Sequence, residues 1–261
     1  MIELRDEHRR CWAQSRYVHL RGALSADERR ALARWTEELV AWPESPGRWM
    51  KYYEAEEGGR RQLCRIENFL PYHAGARDFL ERADLAACLE ELLGEPVRVF
   101  KEKINLKLPG GGAFAPHQDA PAFASFAPRY HVTLMLGVDA TTSANGCLEL
   151  VEGHAEERTL AQSEDGTLAP AAVAACAWRA LPTEPGDLLL FDSYVPHRSG
   201  PNRSAEPRRA WFVTYNRRSD GDHREAYFAE KRRVFPPECE RDPDAPLPAE
   251  AARFNLGNPI R

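Results

Sequence analysis

The chain has 261 residues, of which 43% are hydrophobic and 29% charged, with a formal net charge of −5. These proportions fit a water-soluble globular protein with one sizeable core that needs no disulfides, and they exclude a disordered or fibrous chain. Basic residues are scattered rather than clustered, no apolar run approaches membrane-spanning length, and Met1 to Glu7 leads into no apolar signal core, so nucleic-acid binding and a membrane location are not expected.

The first element is a short strand at Tyr17 to Leu20. Ser25-Ala26-Asp27-Glu28 is a capping box that opens a helix reaching about Trp42, where Pro43 and Pro46 stop it. Leu32, Trp35, Leu39 and Trp42 give that helix one apolar stripe. Trp49 to Glu54 reads as a strand, Gly58-Gly59 as a turn, and Leu63 to Phe69 as the next strand. Arg77 to Leu93 reads as a helix broken near Asp84, with Gly94 as its C-cap and Pro96 enforcing the exit. From Val97 the pattern changes to alternation: Ile104, Leu106 and Leu108 share one face, and Lys101, Lys103, Asn105 and Lys107 share the other. A Gly-rich loop follows at Pro109 to Gly112. Further strands are expected at His131 to Asp139, Leu188 to Phe191 and Arg209 to Tyr215, with Asn145-Gly146 as a hairpin turn. Glu156 to Pro185 reads as a loop-rich insertion or lid, and the chain after Pro236 as irregular.

Strands without alternating helices point to a mainly β fold with flanking helices, an antiparallel jelly-roll or cupin-like double-stranded β-helix. The expectation is one domain over 1–261: a helical N-terminal part to about 95, a β-helix core over about 96–220, and an irregular tail over 221–261. The six cysteines, Cys11, Cys64, Cys88, Cys147, Cys176 and Cys239, contain no C-x-x-C and read as reduced thiols in a cytoplasmic protein.

The chemistry is carried by His117-Gln118-Asp119, by His197 80 residues after His117, and by Arg208 eleven residues beyond His197. Two histidines and a carboxylate fill one face of an octahedral Fe(II) and leave the other face open. On a strand, His117 and Asp119 would point to one side and Gln118 to the other. His131, His154 and His223 are the other candidates for the third ligand. His197 is preferred because it follows the apolar strand Leu188 to Phe191, where a barrel mouth would lie. An Arg at this offset suits the 5-carboxylate of 2-oxoglutarate as a bidentate donor. Arg208 and Arg209 must face opposite sides of their strand, and the offset favours Arg208. Ser199 lies two residues past His197, and Asn105 on the polar face before the Gly-rich loop. With Asp119 present rather than Gly or Ala, no ligand position is left open for chloride, so hydroxylation with O2 is the expected outcome.

The run Lys101 to Gly112 continuing to Pro116-His117-Gln118-Asp119-Ala120-Pro121, with Asn145-Gly146-Cys147-Leu148-Glu149 and Pro196 to Ser204, resembles the phytanoyl-CoA dioxygenase family over roughly residues 15 to 220. That resemblance implies a double-stranded β-helix, Fe(II), 2-oxoglutarate, oxidation of an aliphatic C–H bond, Arg208 on the co-substrate carboxylate, and help from Ser199 and Asn105. Val151-Glu152-Gly153-His154 departs from the family's usual Pro-Gly-Ser-His. Within the family, Lys-Ile-Asn-x-Lys-Leu-Pro-Gly-Gly is similar to bacterial 2-aminoethylphosphonate hydroxylases, which implies a small polar substrate with an anionic group such as a phosphonate. Lys103 or Lys107 would then pair with the anion. The alternative substrate is a larger natural product held by Tyr52, Tyr53 and Trp178; Glu67 and Asn68 are further pocket candidates. A desaturase, epimerase or ring-forming oxidase would use the same site, because substrate placement decides the outcome. A metal-free cupin-like binding protein or a zinc hydrolase would leave Arg208 without a task. The oligomeric state is not legible.

Overall fold

The computed structural model describes residues 2–55, 61–126, 128–242, 244–257 and 260, so the turn expected at Gly58-Gly59 lies outside the described residues. In chain order the elements are α1 (Asp6–Ser15), β1 (Tyr17–Leu20), α2 (Ala26–Ala41), β2 (Met50–Ala55), β3 (Arg61–Glu67), α3 (Ala74–Leu80), α4 (Ala83–Leu93), β4 (Val97–Lys107), β5 (Phe114–His117), α5 (Ala120–Phe123), β6 (His131–Gly137), β7 (Leu148–Val151), α6 (Pro170–Ala175), β8 (Trp178–Leu181), β9 (Leu188–Asp192), β10 (His197–Ser199), β11 (Arg208–Arg217) and α7 (Arg224–Val234), with a closing 3-10 turn over Ala249–Phe254. None of the helices is long and apolar enough to cross a membrane.

Two antiparallel sheets face each other in the cupin-like jelly-roll arrangement. The larger has the order β1-β9-β6-β11-β4-β3-β2, and the smaller β5-β10-β7-β8. The period-2 alternation of β4 and β11 sorts their side chains between two environments. Ile104, Leu106, Trp211, Val213 and Tyr215 meet the apolar stripes of α2 and α4, among them Leu32, Leu39, Leu85 and Leu89. Ala210 and Phe212 face the other way, against Leu148 and Leu150 of the smaller sheet. Each large apolar side chain buried in this way contributes roughly 1.5–3 kcal/mol. The capping box of α2 is present, with Ser25 Oγ accepting from the Glu28 amide at 3.3 Å and Glu28 Oε2 accepting from the Ser25 amide at 2.7 Å. Trp211 Nε1 donates to Thr36 Oγ1 at 2.8 Å and locks α2 onto β11.

Several expectations need correction. The first 95 residues, expected as a helical part packed outside the β-helix, also supply β1, β2 and β3, three of the seven strands of the larger sheet. The break expected near Asp84 in the helical stretch Arg77 to Leu93 is present and falls at Glu81 and Arg82, between α3 and α4, but α1 was not foreseen. Asn145-Gly146 is not a hairpin turn; the chain there passes from β6 in one sheet to β7 in the other. Gly146 has φ +78°, and a Cβ on it would stand 2.1 Å from the Gly200 carbonyl oxygen, so the residue is needed for this close approach. The supposed insertion at 156–185 contains α6 and β8.

The tail is not wholly irregular either. The smaller sheet leaves β2 and β3 uncovered, and α7 with the 249–254 turn covers them: Tyr227, Phe228, Val234, Phe235 and Phe254 pack on Met50, Tyr52, Cys64 and Phe100. The buried positions of α7 are Tyr227, Phe228, Lys231 and Val234. That is helical spacing, but a lysine inside the stripe and the surrounding charges hide it from a hydrophobic pattern.

Candidate active site

His117, Asp119 and His197 come together between the sheets, each with one ligand atom within 4.8 Å of the others. His197 on β10 is the cross-strand partner of His117 on β5, and their ring centroids are 4.2 Å apart. Asp119 is not on a strand with His117, as the spacing suggested. It stands at the N-cap position of α5 in αR conformation, and its carboxylate makes no capping bond, so its oxygens stay available. The three side chains are nearly inaccessible, with 6%, 8% and 6% exposure for His117, Asp119 and His197.

The hydrogen bonds settle the tautomers. His117 Nδ1 lies 2.7 Å from the Ala115 carbonyl oxygen and His197 Nδ1 lies 3.0 Å from that of Val195. A carbonyl only accepts, so each Nδ1 carries the proton and each Nε2 presents a lone pair. Burial, then the neighbouring His197, pushes the pKa of His117 down to about 3, and burial lowers that of His197. Burial alone would raise Asp119, but His197, Lys101 and Lys103 outweigh it and hold the carboxyl well below its usual range. Two neutral imidazoles and a carboxylate are the donor set of a divalent first-row metal, so these residues fit iron. His131, His154 and His223 lie outside the cluster.

Two small cavities of about 30 Å³ each meet at the triad. They share Lys101, Lys103, Phe114, His117 and Asp119. The first continues to Asn105, Thr133, Ser199, Arg208 and Thr214. Arg208 is 1% exposed, and its Nε and Nη2 have no protein partner. A buried, unsatisfied guanidinium is costly, and a bidentate carboxylate is the ligand that satisfies it. Arg209 faces outward, donating through Nε and Nη2 to Asp139 at 2.8 Å each and also to Glu37. Asn105 Oδ1 accepts from Arg65 Nε at 3.1 Å.

Lys107, read as a partner for a substrate anion, lines neither cavity. Its Nζ donates to Ser199 Oγ at 2.7 Å and to the Gly200 carbonyl at 2.5 Å, so it fixes the strand end beyond His197. Burial, and then Arg208, push its pKa down to about 6.

The second cavity continues to Arg65, Glu67, Tyr227, Lys231, Phe254 and Leu256. Lys231 Nζ donates to both oxygens of Glu67 at 2.6 Å. Burial opposes the charge on Glu67, but Lys231, then Arg65 and Lys101, bring its pKa down to about 2. Burial lowers both Lys101 and Lys103, and Lys101 and Arg65 take Lys103 lower still. Lys103 lines both cavities. Lys101, part of the polar face Lys101, Lys103, Asn105 and Lys107 read as suited to an anionic group, lines both cavities as well, whereas Arg65 and Lys231 were not singled out. Lys101 shares the polar face of β4 with Lys103, and that alternation was the available signal; nothing local marks Lys231.

Tyr52, Tyr53 and Trp178 line neither cavity. Tyr52 donates to the Phe235 carbonyl at 2.8 Å and stacks on the Phe235 ring. The Arg61 guanidinium covers Tyr53 at 3.9 Å, and Trp178 donates to the Val173 carbonyl while Arg198 lies over its ring. Asn68 binds the Arg48 carbonyl and Arg224, away from the triad. The unforeseen scaffold residue is Gln118, which is fully buried; its amide donates to the carbonyls of Arg158 and Tyr194 and accepts from the Leu160 amide, pinning the 158–160 loop beside the triad. The departure at Val151 to His154 leaves a tight turn, with Gly153 at φ +72°.

β5 is the outer strand of the smaller sheet. Its free edge is closed by the C-terminal segment, where the Ala115 amide donates to the Gly257 carbonyl at 2.7 Å. The strand that carries His117 is therefore tied to the end of the chain.

Residues 15–210 match the family described as phytanoyl-CoA dioxygenase (PhyH). The chain is 48% identical to a 2-aminoethylphosphonate dioxygenase from the uncultured bacterium HF130_AEPn_1, covering 98% of each protein. It is 41% identical to a methylphosphonate hydroxylase from Gimesia maris, over 86% of this chain and 85% of that one. Among solved structures it is similar to EctD from S. alaskensis with 2-oxoglutarate and 5-hydroxyectoine, with a TM-score of 0.70 at 20% identity over 83% and 77% of the two chains.

Proposed function

This chain belongs to the phytanoyl-CoA dioxygenase family and is an Fe(II)- and 2-oxoglutarate-dependent dioxygenase acting on a small molecule, and from that premise we propose that it hydroxylates a small phosphonate. The observation that carries the substrate class is the end-to-end 48% identity to a 2-aminoethylphosphonate dioxygenase. With Fe(II) and 2-oxoglutarate bound, such a site uses O2 to convert 2-oxoglutarate to succinate and CO2 and to place one oxygen atom on a substrate carbon, replacing a C–H bond by C–OH.

In this reading His117, Asp119 and His197 hold the iron, with the two Nδ1–H bonds to Ala115 and Val195 keeping both Nε2 atoms aimed at the metal. Arg208 takes the 5-carboxylate of 2-oxoglutarate, with Ser199 and Asn105 beside it in the same cavity. Holding both organic ligands in fixed positions next to one metal is the chain's own catalytic contribution. Lys103 faces the substrate. A larger natural product has little support here, since the aromatic residues that would hold it are engaged elsewhere. We place the enzyme in the cytoplasm, because all six cysteines are free, which suits a reducing compartment.

The test is incubation of the Fe(II)-loaded enzyme with 2-oxoglutarate, O2 and either 2-aminoethylphosphonate or methylphosphonate. Succinate should form in step with a product heavier by one oxygen atom. Robust turnover of a bulky neutral molecule, with no phosphonate-coupled succinate, would remove the phosphonate reading and leave the iron chemistry in place.

A further inference from the structure

The described residues contain six buried cationic side chains: Lys51, Arg65, Lys101, Lys107, Arg208 and Lys231. Four are engaged by protein groups. Lys51 donates to the carbonyls of Val40 and Trp42, Arg65 to Asn105, Lys107 to Ser199 and Gly200, and Lys231 to Glu67. Two lack a hydrogen-bonding or ion-pair partner among the described residues: Arg208 and Lys101. A buried charge without a hydrogen-bonded partner is costly; Asp119 offsets part of that cost at Lys101, but in the proposed function its carboxylate is committed to iron, so a fold that leaves two such cations points to two anionic ligands. Arg208 accounts for one of them.

Lys101 stands at 7% exposure with its ammonium 4.7 Å from the Phe123 ring centre and 5.6 Å from that of Tyr227. Lys103, two residues on and so on the same face of β4, is also without a hydrogen-bond or ion-pair partner among the described residues, and rests 5.5 Å from the Phe212 ring centre. Both line both cavities, next to His117 and Asp119. Beyond Asp119, the carboxylate of the second cavity is Glu67, and both its oxygens are already bound by Lys231.

We infer that Lys101 and Lys103 together form the seat for the phosphonate head of the substrate, where the two cavities meet beside His117 and Asp119, and that Lys231 is a positioning residue which neutralises Glu67 so that it does not repel that head. This rests on the phosphonate reading above and adds to it how the substrate is chosen. Selection acts on the doubly charged head, through two point charges, and a substrate ammonium is not required. Methylphosphonate therefore fits the seat as well as an aminoalkyl phosphonate does.

The experiment is anaerobic calorimetry of the enzyme loaded with Fe(II) and 2-oxoglutarate, titrated with methylphosphonate. Lys101→Met and Lys103→Met should each weaken phosphonate binding by roughly tenfold to a hundredfold, the worth of a charge-assisted bond, and leave 2-oxoglutarate affinity within about twofold. Thermal unfolding gives a readout with the opposite sign. Without phosphonate, Lys101→Met should melt higher than the wild type, because an unpaired buried charge is gone; methylphosphonate should raise the wild-type Tm and not that of the variant. Unchanged methylphosphonate affinity in both variants would overturn the seat while leaving the phosphonate reading intact. A Lys101→Met variant that melts lower would show a structural lysine and also overturn it. A wild type that binds no phosphonate would overturn both.

Discussion

The two ends of the active site are built from different materials. The Arg208 end is made by strands alone: Asn105 from β4, Thr133 from β6, Ser199 from β10, and Arg208 with Thr214 from β11. The far end has strand residues Arg65, Glu67, Lys101 and Lys103 on one side, and Tyr227, Lys231, Phe254 and Leu256 from the last forty residues on the other. A wall of alternate residues on paired strands inherits the register of the sheet; moving it by one residue would turn every side chain to the opposite face. A wall supplied by a docked helix and a 3-10 turn can be altered without touching that register. The Arg208 end, proposed to take 2-oxoglutarate, is thus fixed by the fold, and the Lys231 end, proposed to take the substrate, is where one member of such a fold can differ from another.

The severest break in this comparison is at the point the two ends share. His117→Ala, Asp119→Ala or His197→Ala should each nearly abolish iron binding and turnover, since each removes one of three protein ligands; metal content after desalting is the direct measurement. Retention of iron by His197→Ala, together with its loss in His131→Ala, would show that the third ligand lies elsewhere. Next in size is the co-substrate end. Arg208→Ala should raise the KM for 2-oxoglutarate strongly, by the equivalent of about 2–5 kcal/mol, with the substrate KM changed far less. Arg209→Ala, which loses only the outward pairs to Asp139 and Glu37, should leave both constants near wild type. The reverse ranking would refute the strand facing described above.

Smaller effects sharpen the contrast. Phe254→Ala opens the wall contributed by the C-terminal turn and should raise the substrate KM by about tenfold at most while sparing that of 2-oxoglutarate, because the lost contact is apolar and on one side only. Equal damage to both constants would mean that the C-terminal segment supports the whole site. Trp178→Ala should do least, with both constants within about twofold, since the ring lines neither cavity. A large rise in substrate KM would return this tryptophan to the site.

The legibility of each end follows from the same difference. His-x-Asp, the second histidine and the Arg offset were readable because ligand identity is set by local sequence. That only one of Arg208 and Arg209 faces inward was readable because neighbours on a strand oppose each other, and the offset from His197 pointed to Arg208. Asp119 was assigned to the correct face for the wrong reason: it reaches the metal position from the start of α5, not from a strand. Lys107 was misread because alternation gives the face but not what waits there, which is Ser199 and Gly200. Tyr52 was misread because an aromatic on a polar-looking strand gives no sign that Phe235, 183 residues later, will cover it.

What the sequence by itself determined is the donor set of the metal, the strand alternation that brings Asn105, Lys103 and Arg208 to the inner face, and hence the reaction class. These depend on residue type and on periods of two, which are local. What only the tertiary structure decided is which of the inward cations stay unpaired. Lys107 and Lys231 found a hydroxyl, a carbonyl and a carboxylate on distant segments, whereas Lys101 and Arg208 did not. Partnering of a buried charge is settled by whatever the fold carries to within about 3 Å of it, and that is a property of long-range packing that no local spacing contains.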